Sequence, residues 1–207
     1  MARNGTAREK ILGAALGLIR SKGYSATTVD NLCAAAGVTK GAFFHHFDSK
    51  DALGVAAANH WSAVTGSFFE AAPYHRHSDP LERVLGYLDF RRDILSGSLA
   101  EFTCLAGTMV QEIHQSSPAI AAACDASISG HADKIEADIA EAMALHGIEA
   151  DWTAQSLALH TQAVLQGAFI LAKAKGGPDI AADSIDHLKR YVGLLFGRPQ
   201  TAKRKRS

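Results

Sequence analysis

The chain has 207 residues, of which 47% are hydrophobic and 20% charged, a composition that supports a folded core and excludes a disordered chain. Its 21 Lys and Arg residues balance 21 Asp and Glu residues, but their distribution is uneven. Residues 1–52 carry an excess of three positive charges, residues 53–197 an excess of eight negative charges, and residues 198–207 five positive charges. Both ends therefore favour a polyanionic partner, and the middle repels one.

Several classes of protein are disfavoured at once. No apolar run approaches the roughly 18–20 residues that span a bilayer. The three cysteines, Cys33, Cys104 and Cys124, are widely spaced and form no CxxC pair. Without a secretory signal pattern they fit a reducing compartment. We expect a cytoplasmic protein with no cofactor, no metal and no membrane partner.

The first predicted helix begins near residue 6 and ends near residue 22. Thr6 and Glu9 have the spacing of a capping box at its start. Lys22 and Gly23 end it with a cation in the last turn and a glycine able to adopt positive φ. Its apolar residues fall on one face, which predicts packing against the helices that follow.

Two short helices are predicted next, between Thr27 and Lys50. Thr27 or Thr28 caps the first of them, and Gly37 stops it. Val38 then places an apolar side chain in the turn. This arrangement is typical of a helix-turn-helix, in which the second helix enters a DNA groove.

The second of these helices, from Lys40 to His46, has Thr39 as its cap. A helix this short is marginal alone and must be held by packing. Phe43 and Phe47 at i and i+4 can face the core together. Asp48 or Ser49 then caps a long helix over about 50–71, which we expect to connect the small domain to a larger body.

The rest of the chain predicts further helices and no strand. The polar segment 72–80 is the best candidate for a domain boundary. Beyond it, apolar residues at 3–4 spacing predict five helices: about 80–95, 101–115, 118–145, 151–175 and 179–196. The fold class is therefore all-α, with about nine helices. The segment Leu165-Gln166-Gly167-Ala168 contains small residues where two helices could pass closely, either at a dimer face or within the chain.

The helix-turn-helix carries groups that can contact DNA. Hydroxyls and amides at helix N-termini bind phosphate, lysines add charge, and small residues allow close approach to the groove. An exposed aromatic ring can pack on a sugar or a thymine methyl group. The candidate DNA-binding residues are Thr27, Thr28, Thr39, Lys40, Gly41, Ala42, Phe44, His45, His46 and Lys50.

Residues 28–53 read TVDxLxxxAGVxKGxFxHHFxSKxxL, which resembles the TetR family of one-component repressors. The resemblance covers about residues 6–55; the remaining helices are similar to the family's regulatory region in architecture only. It implies a DNA-binding domain over 1–50 and a ligand-binding and dimerisation domain over 51–197. The basic residues of 198–207 predict a disordered tail, which is either a solvated end or a source of nonspecific attraction to DNA. The resemblance also implies a homodimer on double-stranded palindromic operator DNA, released by a small-molecule effector. The family usually has a tyrosine where this chain has Phe44, so packing must replace a phosphate hydrogen bond there.

The body offers weaker signals. A ligand pocket of mixed aromatic and aliphatic lining would favour a neutral or weakly polar effector. Its candidate lining residues are Trp61, Phe68, Tyr87, Phe90, Phe102, Cys104, Met109 and Phe169.

Several alternatives stay open. Cys104 is a small buried hydrophobe or, on the same scaffold, the reactive thiol of a redox or electrophile sensor. No pair of histidines has the i, i+4 spacing of a metal site within one helix; the histidines considered are His60, His114, His131 and His160. No hydrolase motif is present, so we expect that the chain is not an enzyme. If the chain were instead an enzyme or an assembly module on this fold, Lys40→Ala and His45→Ala would leave its function intact.

Overall fold

A computed structural model gives the structure of the chain and describes residues 5–198. These residues form ten α-helices, one short 3-10 helix over Pro73–Arg76, and no β-strand. The all-α prediction is confirmed. The α-helices are α1 (Ala7–Lys22), α2 (Val29–Ala36), α3 (Lys40–His46), α4 (Lys50–Glu70), α5 (Pro80–Asp93), α6 (Leu99–Phe102), α7 (Leu105–Ile113), α8 (Pro118–His146), α9 (Ala154–Lys175) and α10 (Asp179–Leu195).

The N-terminal helices begin where side chains satisfy their first amides. The capping box of Thr6 with Glu9 is confirmed at α1. Thr28 rather than Thr27 caps α2, and Ser49 rather than Asp48 caps α4. Each hydroxyl accepts a hydrogen bond from a backbone N–H that the helix itself leaves unpaired.

The prediction of one continuous helix over 101–115 is wrong. Thr103 and Cys104 are extended, with ψ of 158° and 128°, and they separate α6 from α7. The hydroxyl of Thr103 donates to the Leu99 carbonyl at 2.7 Å, and the Cys104 Sγ accepts from the Gly107 amide at 3.3 Å. These local bonds end one helix and start the next, against the apolar periodicity that favours a single helix.

Two smaller predictions also need correction. Helix α9 begins at Ala154 rather than near Asp151, because Thr153 and Ser156 form a capping box there. The helical spacing of Leu53, Ala57 and Val64 predicts that all three lie on the buried side of α4; Leu53 and Ala57 are buried there, but Val64 is exposed.

The described residues divide into two compact units. The first unit comprises residues up to 71 together with 97–131, and the second comprises 72–96 together with residues from 132 onward. The functional domains predicted over 1–50 and 51–197 have different bounds from these two units, which are defined by packing. The predicted domains therefore stay a prediction. The tail predicted over 198–207 lies outside the described residues except for Arg198, whose guanidinium contacts Glu82 at 2.6 Å.

The core of the first unit forms where α1 packs against α2, α3, α4, α6 and α7. Its fully buried members come from all parts of the unit, so that no helix of the group buries its apolar face alone. They include Ile11, Leu12, Ile19, Leu32, Phe43, Leu53, Leu105, Met109 and Ile120.

The second unit is built from α5, α9, α10 and the later part of α8. Helix α10 packs against both α9 and α5. Leu165 and Ala168 on α9 are buried within this unit, so they take part in packing inside the chain. Lys189 on α10 contacts Asp89 on α5 at 2.6 Å. Within the residues described, no helix is both long and apolar enough to cross a membrane.

Candidate nucleic-acid interface

The turn between α2 and α3 has the geometry that the sequence predicts. Gly37 adopts the left-handed conformation, with φ of 64°, and ends α2. The Val38 amide donates to the Cys33 carbonyl at 3.0 Å, which closes the turn. Thr39 then caps α3 by accepting a hydrogen bond from the Ala42 amide at 3.1 Å. The two helices are therefore held by local backbone bonds at both sides of the turn.

The inner face of α3 is anchored by two phenylalanines, as predicted. Phe43 is fully buried and Phe47 nearly so. Their ring centroids lie 5.7 Å apart, and Arg8 of α1 covers the Phe47 ring at 5.6 Å. Because the helix has only seven residues, this burial rather than helix propensity holds it in place.

The outer face of α3 is open to solvent and carries polar, cationic and aromatic groups. Phe44 is 53% exposed, and its ring meets Phe43 edge-on. Lys40, Gly41 and His45 are exposed, whereas Ala42 and His46 are half-buried. This face combines a charge, a flat ring and little steric bulk near the helix start, as expected of a helix that enters a groove.

Lys40 is paired across the turn. Its ammonium lies 2.7 Å from the Asp30 carboxylate, and both side chains are largely exposed. The hydrogen bond to Asp30 raises the pKa of Lys40, so it stays charged at any physiological pH. An exposed pair of this kind contributes little to stability. The lysine is therefore available to exchange its carboxylate partner for a phosphate.

The three predicted threonines are placed differently. Thr28 and Thr39 are exposed caps at the starts of α2 and α3. Thr27 is buried, and its hydroxyl donates to the Gly23 carbonyl at 2.7 Å. The expectation that Thr27 offers a hydroxyl to phosphate does not agree with this placement, because its side chain closes the preceding loop instead.

Lys50 is held against the same loop. Its ammonium donates to the Ser25 carbonyl at 3.3 Å and lies 4.3 Å from the Tyr24 ring centroid. Burial lowers the pKa of Lys50, while the nearby Asp51 and Glu112 carboxylates oppose that shift. Lys50 must therefore leave these contacts if it is to bind a phosphate.

Sequence reasoning missed Glu112 altogether. Its carboxylate, on α7, accepts hydrogen bonds from the Tyr24 amide at 3.1 Å and the Ser25 amide at 2.8 Å. Those partners lie 88 and 87 residues away along the chain, so no local pattern could have revealed the contact.

The candidates for the ligand pocket fall into both units. Trp61, Phe68, Phe102, Cys104 and Met109 belong to the first unit, and Tyr87, Phe90 and Phe169 to the second. Met109 and Tyr87 are buried in the packing of their own units, whereas Phe68 is half exposed. Trp61 stacks under the Arg20 guanidinium at 4.8 Å. Among the residues described, no three His, Cys, Asp or Glu side chains converge as metal ligands.

Two family models match this chain, one for each part. Residues 11–57 match the bacterial regulatory proteins of the tetR family. Residues 80–179 match the C-terminal domain of LmrA/YxaF-like transcriptional regulators. The first match contains the helix-turn-helix, and the second begins at α5 and ends at the start of α10.

Two curated regulators are similar in sequence. The transcriptional regulator AcuR of Cereibacter sphaeroides is 25% identical over 173 residues, which are 84% of this chain and 79% of AcuR. The HTH-type regulator YerO of Bacillus subtilis is 37% identical over 58 residues. That match spans 28% of this chain and only 20% of YerO.

Solved structures show the same fold. The regulatory protein TetR from Rhodobacter sphaeroides superposes with a TM-score of 0.80 at 24% identity, covering 90% of this chain and 99% of that one. A cysteine-substituted CifR, a TetR-family regulator solved with 26-bp operator DNA, has a TM-score of 0.76 at 17% identity, covering 92% and 98%. The two family matches identify the chain as a member of the TetR family of DNA-binding transcriptional regulators, and the solved structures show that it has the same fold.

Proposed function

We propose that the chain is a homodimeric repressor that binds a palindromic operator through α2 and α3 and leaves it when a small molecule binds. The observation that carries this proposal is the asymmetry of α3. Two buried phenylalanines fix its inner face, while Lys40, Phe44 and His45 are exposed on its outer face. A helix locked from behind with polar and aromatic groups in front is suited to reading a groove.

Contacts to the DNA backbone would come from the helix starts. Thr28 and Thr39 are exposed caps, and the first amides of α2 and α3 lie beside them. Phe44, in place of the family tyrosine, would pack against a sugar or a thymine methyl group. Lys40, His45 and the capping threonines therefore carry most of the polar contact in this proposal.

The dimer is proposed to form on α9 and α10. In their own unit these two helices leave several large apolar side chains about half exposed, and a dimer interface would bury them. The residues are Leu159, Ile170, Leu171, Tyr191 and Leu194. A twofold dimer has two copies of α3, one for each half-site, and such half-sites lie about one helical turn, roughly 34–36 Å, apart.

The effector is proposed to be neutral or weakly polar. Four candidates of the first unit are not fully buried in its core: Trp61 and Phe68 on α4, together with Phe102 and Cys104. Because α4 directly follows the helix-turn-helix, a ligand that displaces it would change the spacing of the two reading helices. Release is then a population shift towards the form that binds ligand better.

Selection of DNA from a random-sequence pool by the full chain tests the proposal. A palindromic consensus should emerge, and the selected duplex should bind with a steep dependence on salt concentration. Lys40→Ala should reduce the salt slope by about one per protomer, and so by about two for the dimer, because each copy of α3 loses one phosphate contact. Failure to select any sequence, or binding unchanged by Lys40→Ala, His45→Ala and Phe44→Ala together, would contradict it.

A thiol sensor is the second candidate, and the position of Cys104 favours it. Cys104 is half-exposed at the start of α7, where its Sγ accepts the Gly107 amide hydrogen, and it lies in the electrostatic range of the Arg20 guanidinium. Reactive cysteines sit in partly exposed, electropositive surroundings of this kind. Cys124 is buried, and burial raises the pKa of its thiol to about 11, so it stays protonated at neutral pH.

Cys104→Ser separates the two candidates. A sensor should lose its release by electrophiles or oxidants in this variant, whereas Cys124→Ala, the matched control, should keep it. Unchanged release in Cys104→Ser would contradict the thiol mechanism and leave ligand binding as the trigger.

A further inference from the structure

A carboxylate of α7 holds the loop that precedes α2. One oxygen of Glu112 accepts the Tyr24 amide hydrogen at 3.1 Å, and the other accepts the Ser25 amide hydrogen at 2.8 Å. Hydrogen bonds to an ionised acceptor are stronger than neutral ones. Because each oxygen takes a different amide, Glu112 fixes two successive peptide groups at once.

The loop itself is stiff. The Thr27 hydroxyl donates to the Gly23 carbonyl at 2.7 Å, and the Thr27 amide donates to the Tyr24 carbonyl at 3.1 Å. The Tyr24 hydroxyl donates to Asp51 on α4 at 2.7 Å. A displacement at Tyr24 is therefore passed along the loop, since few of its torsions are free to absorb it.

Gly23 shows how closely the carboxylate approaches. Its φ is 90°, a conformation that favours glycine, and a β-carbon built there would collide with the Glu112 carboxylate. Ser25 is held from both sides, by Glu112 at its amide and by the Lys50 ammonium at its carbonyl. Two elements distant in sequence thus converge on one loop residue.

The loop leads directly into the helix-turn-helix. It ends at Thr28, the cap of α2, and α2 packs against α3. Cys104 caps the start of α7, and Glu112 lies near the other end of this helix. Glu112 therefore stands where a movement of α7 would reach the orientation of α2 and α3.

We propose that Glu112 is a positioning residue for DNA binding, which sets the loop before α2 so that α3 presents its outer face. The inference rests on the proposed reading role of α3. The direction of the change in DNA affinity distinguishes this positioning role from a simple charge effect. Removing a carboxylate near a polyanion strengthens binding if only electrostatics act, whereas loss of a positioning contact weakens it.

The test uses the full chain and the duplex that the wild-type chain selects from a random pool. Glu112→Gln and Glu112→Ala should each raise the Kd, by about tenfold for Ala, with the salt slope unchanged. Glu149→Gln is the matched control, because it removes an exposed carboxylate from the segment after α8. It should bind as well as wild type or slightly better. Hydrogen exchange at the Tyr24 and Ser25 amides should rise in both Glu112 variants.

Three results would overturn the proposal. The first is equal or tighter DNA binding by both Glu112 variants while Lys40→Ala weakens it, which leaves the reading role of α3 intact. The second is a loss of binding that tracks a loss of folded protein, measured by circular dichroism, in both variants. The third is the absence of any selected duplex for the wild-type chain, in which case the proposed function fails first.

Discussion

Two exposed helical faces of this protein are built in opposite ways. The outer face of α3 is polar and cationic, and it belongs to a helix of seven residues. The outer faces of α9 and α10 expose leucine, isoleucine and tyrosine, on helices of 22 and 17 residues. The first face suits a polyanion, and the second suits another apolar surface.

The difference concerns what supports each face. A seven-residue helix is not stable alone, so α3 depends on the core of Phe43 and Phe47 behind it. The long helices α9 and α10 are supported along their length by packing against each other and by α5. Changes behind α3 should therefore remove both fold and function, whereas changes on the α9–α10 face should remove assembly and leave the fold.

The largest expected effect is that of Phe43→Ala. Phe43 is fully buried, so the cavity should cost about 3–5 kcal/mol of the free energy of unfolding. Denaturant unfolding followed by circular dichroism measures it. The exposed neighbour Phe44 is the matched control: Phe44→Ala should change stability by about 0.5 kcal/mol or less while weakening DNA binding. Equal losses of stability in the two variants would remove the distinction between inner and outer face.

The second-largest effect is expected on formation of the proposed dimer. Leu194 and Tyr191 are 54% and 45% exposed, so Leu194→Asp with Tyr191→Asp should leave the helix content unchanged and convert the proposed dimer to a monomer. Light scattering after gel filtration reads the mass. Leu145→Asp, at an exposed position on α8, is the control and should stay dimeric. A dimer that survives the double substitution would place the interface elsewhere.

Loss of a helix cap should weaken DNA binding when the capped helix is α3, and leave DNA binding unchanged when it is α9. Thr39 caps α3 and Thr153 caps α9, each through its hydroxyl, and each change to Ala should cost about 1 kcal/mol. This cost is a larger share of the local stability of α3, with seven residues, than of α9, with 22 residues. Thr39→Ala should therefore weaken DNA binding at a temperature where both variants are folded, and Thr153→Ala should not. Equal DNA affinities would argue that α3 is held by its core alone.

The smallest effect is expected at Asp30. Asp30→Asn releases Lys40 from its exposed partner, and the free lysine should strengthen binding to the selected duplex by about two- to fivefold. Thermal unfolding should change little, because an exposed pair contributes little to stability. Asp48→Asn, which removes an exposed carboxylate after α3, serves as the control for net charge. An identical gain in both variants would show that charge alone, and not release of Lys40, is responsible.

The sequence by itself predicts most of this architecture. The caps Thr6 and Thr39 and the stop at Gly37 act within a few residues of chain, so the sequence alone identifies them. It narrows the caps of α2 and α4 to two adjacent residues each, and the structure selects Thr28 and Ser49. The same holds for the burial of Phe43 and Phe47, which follows from their i, i+4 spacing. The family resemblance on residues 28–53, now supported by the family matches, arises from these local requirements of a helix-turn-helix.

Only the tertiary structure decides the features that depend on distant partners. Thr27 satisfies the rule for a capping residue as well as Thr28 does, but the loop fold buries it against Gly23. Glu112 meets Ser25 across 87 residues. Secondary structure is set by interactions between near neighbours in sequence, whereas the contacts that position α3 exist only after the chain brings distant segments together.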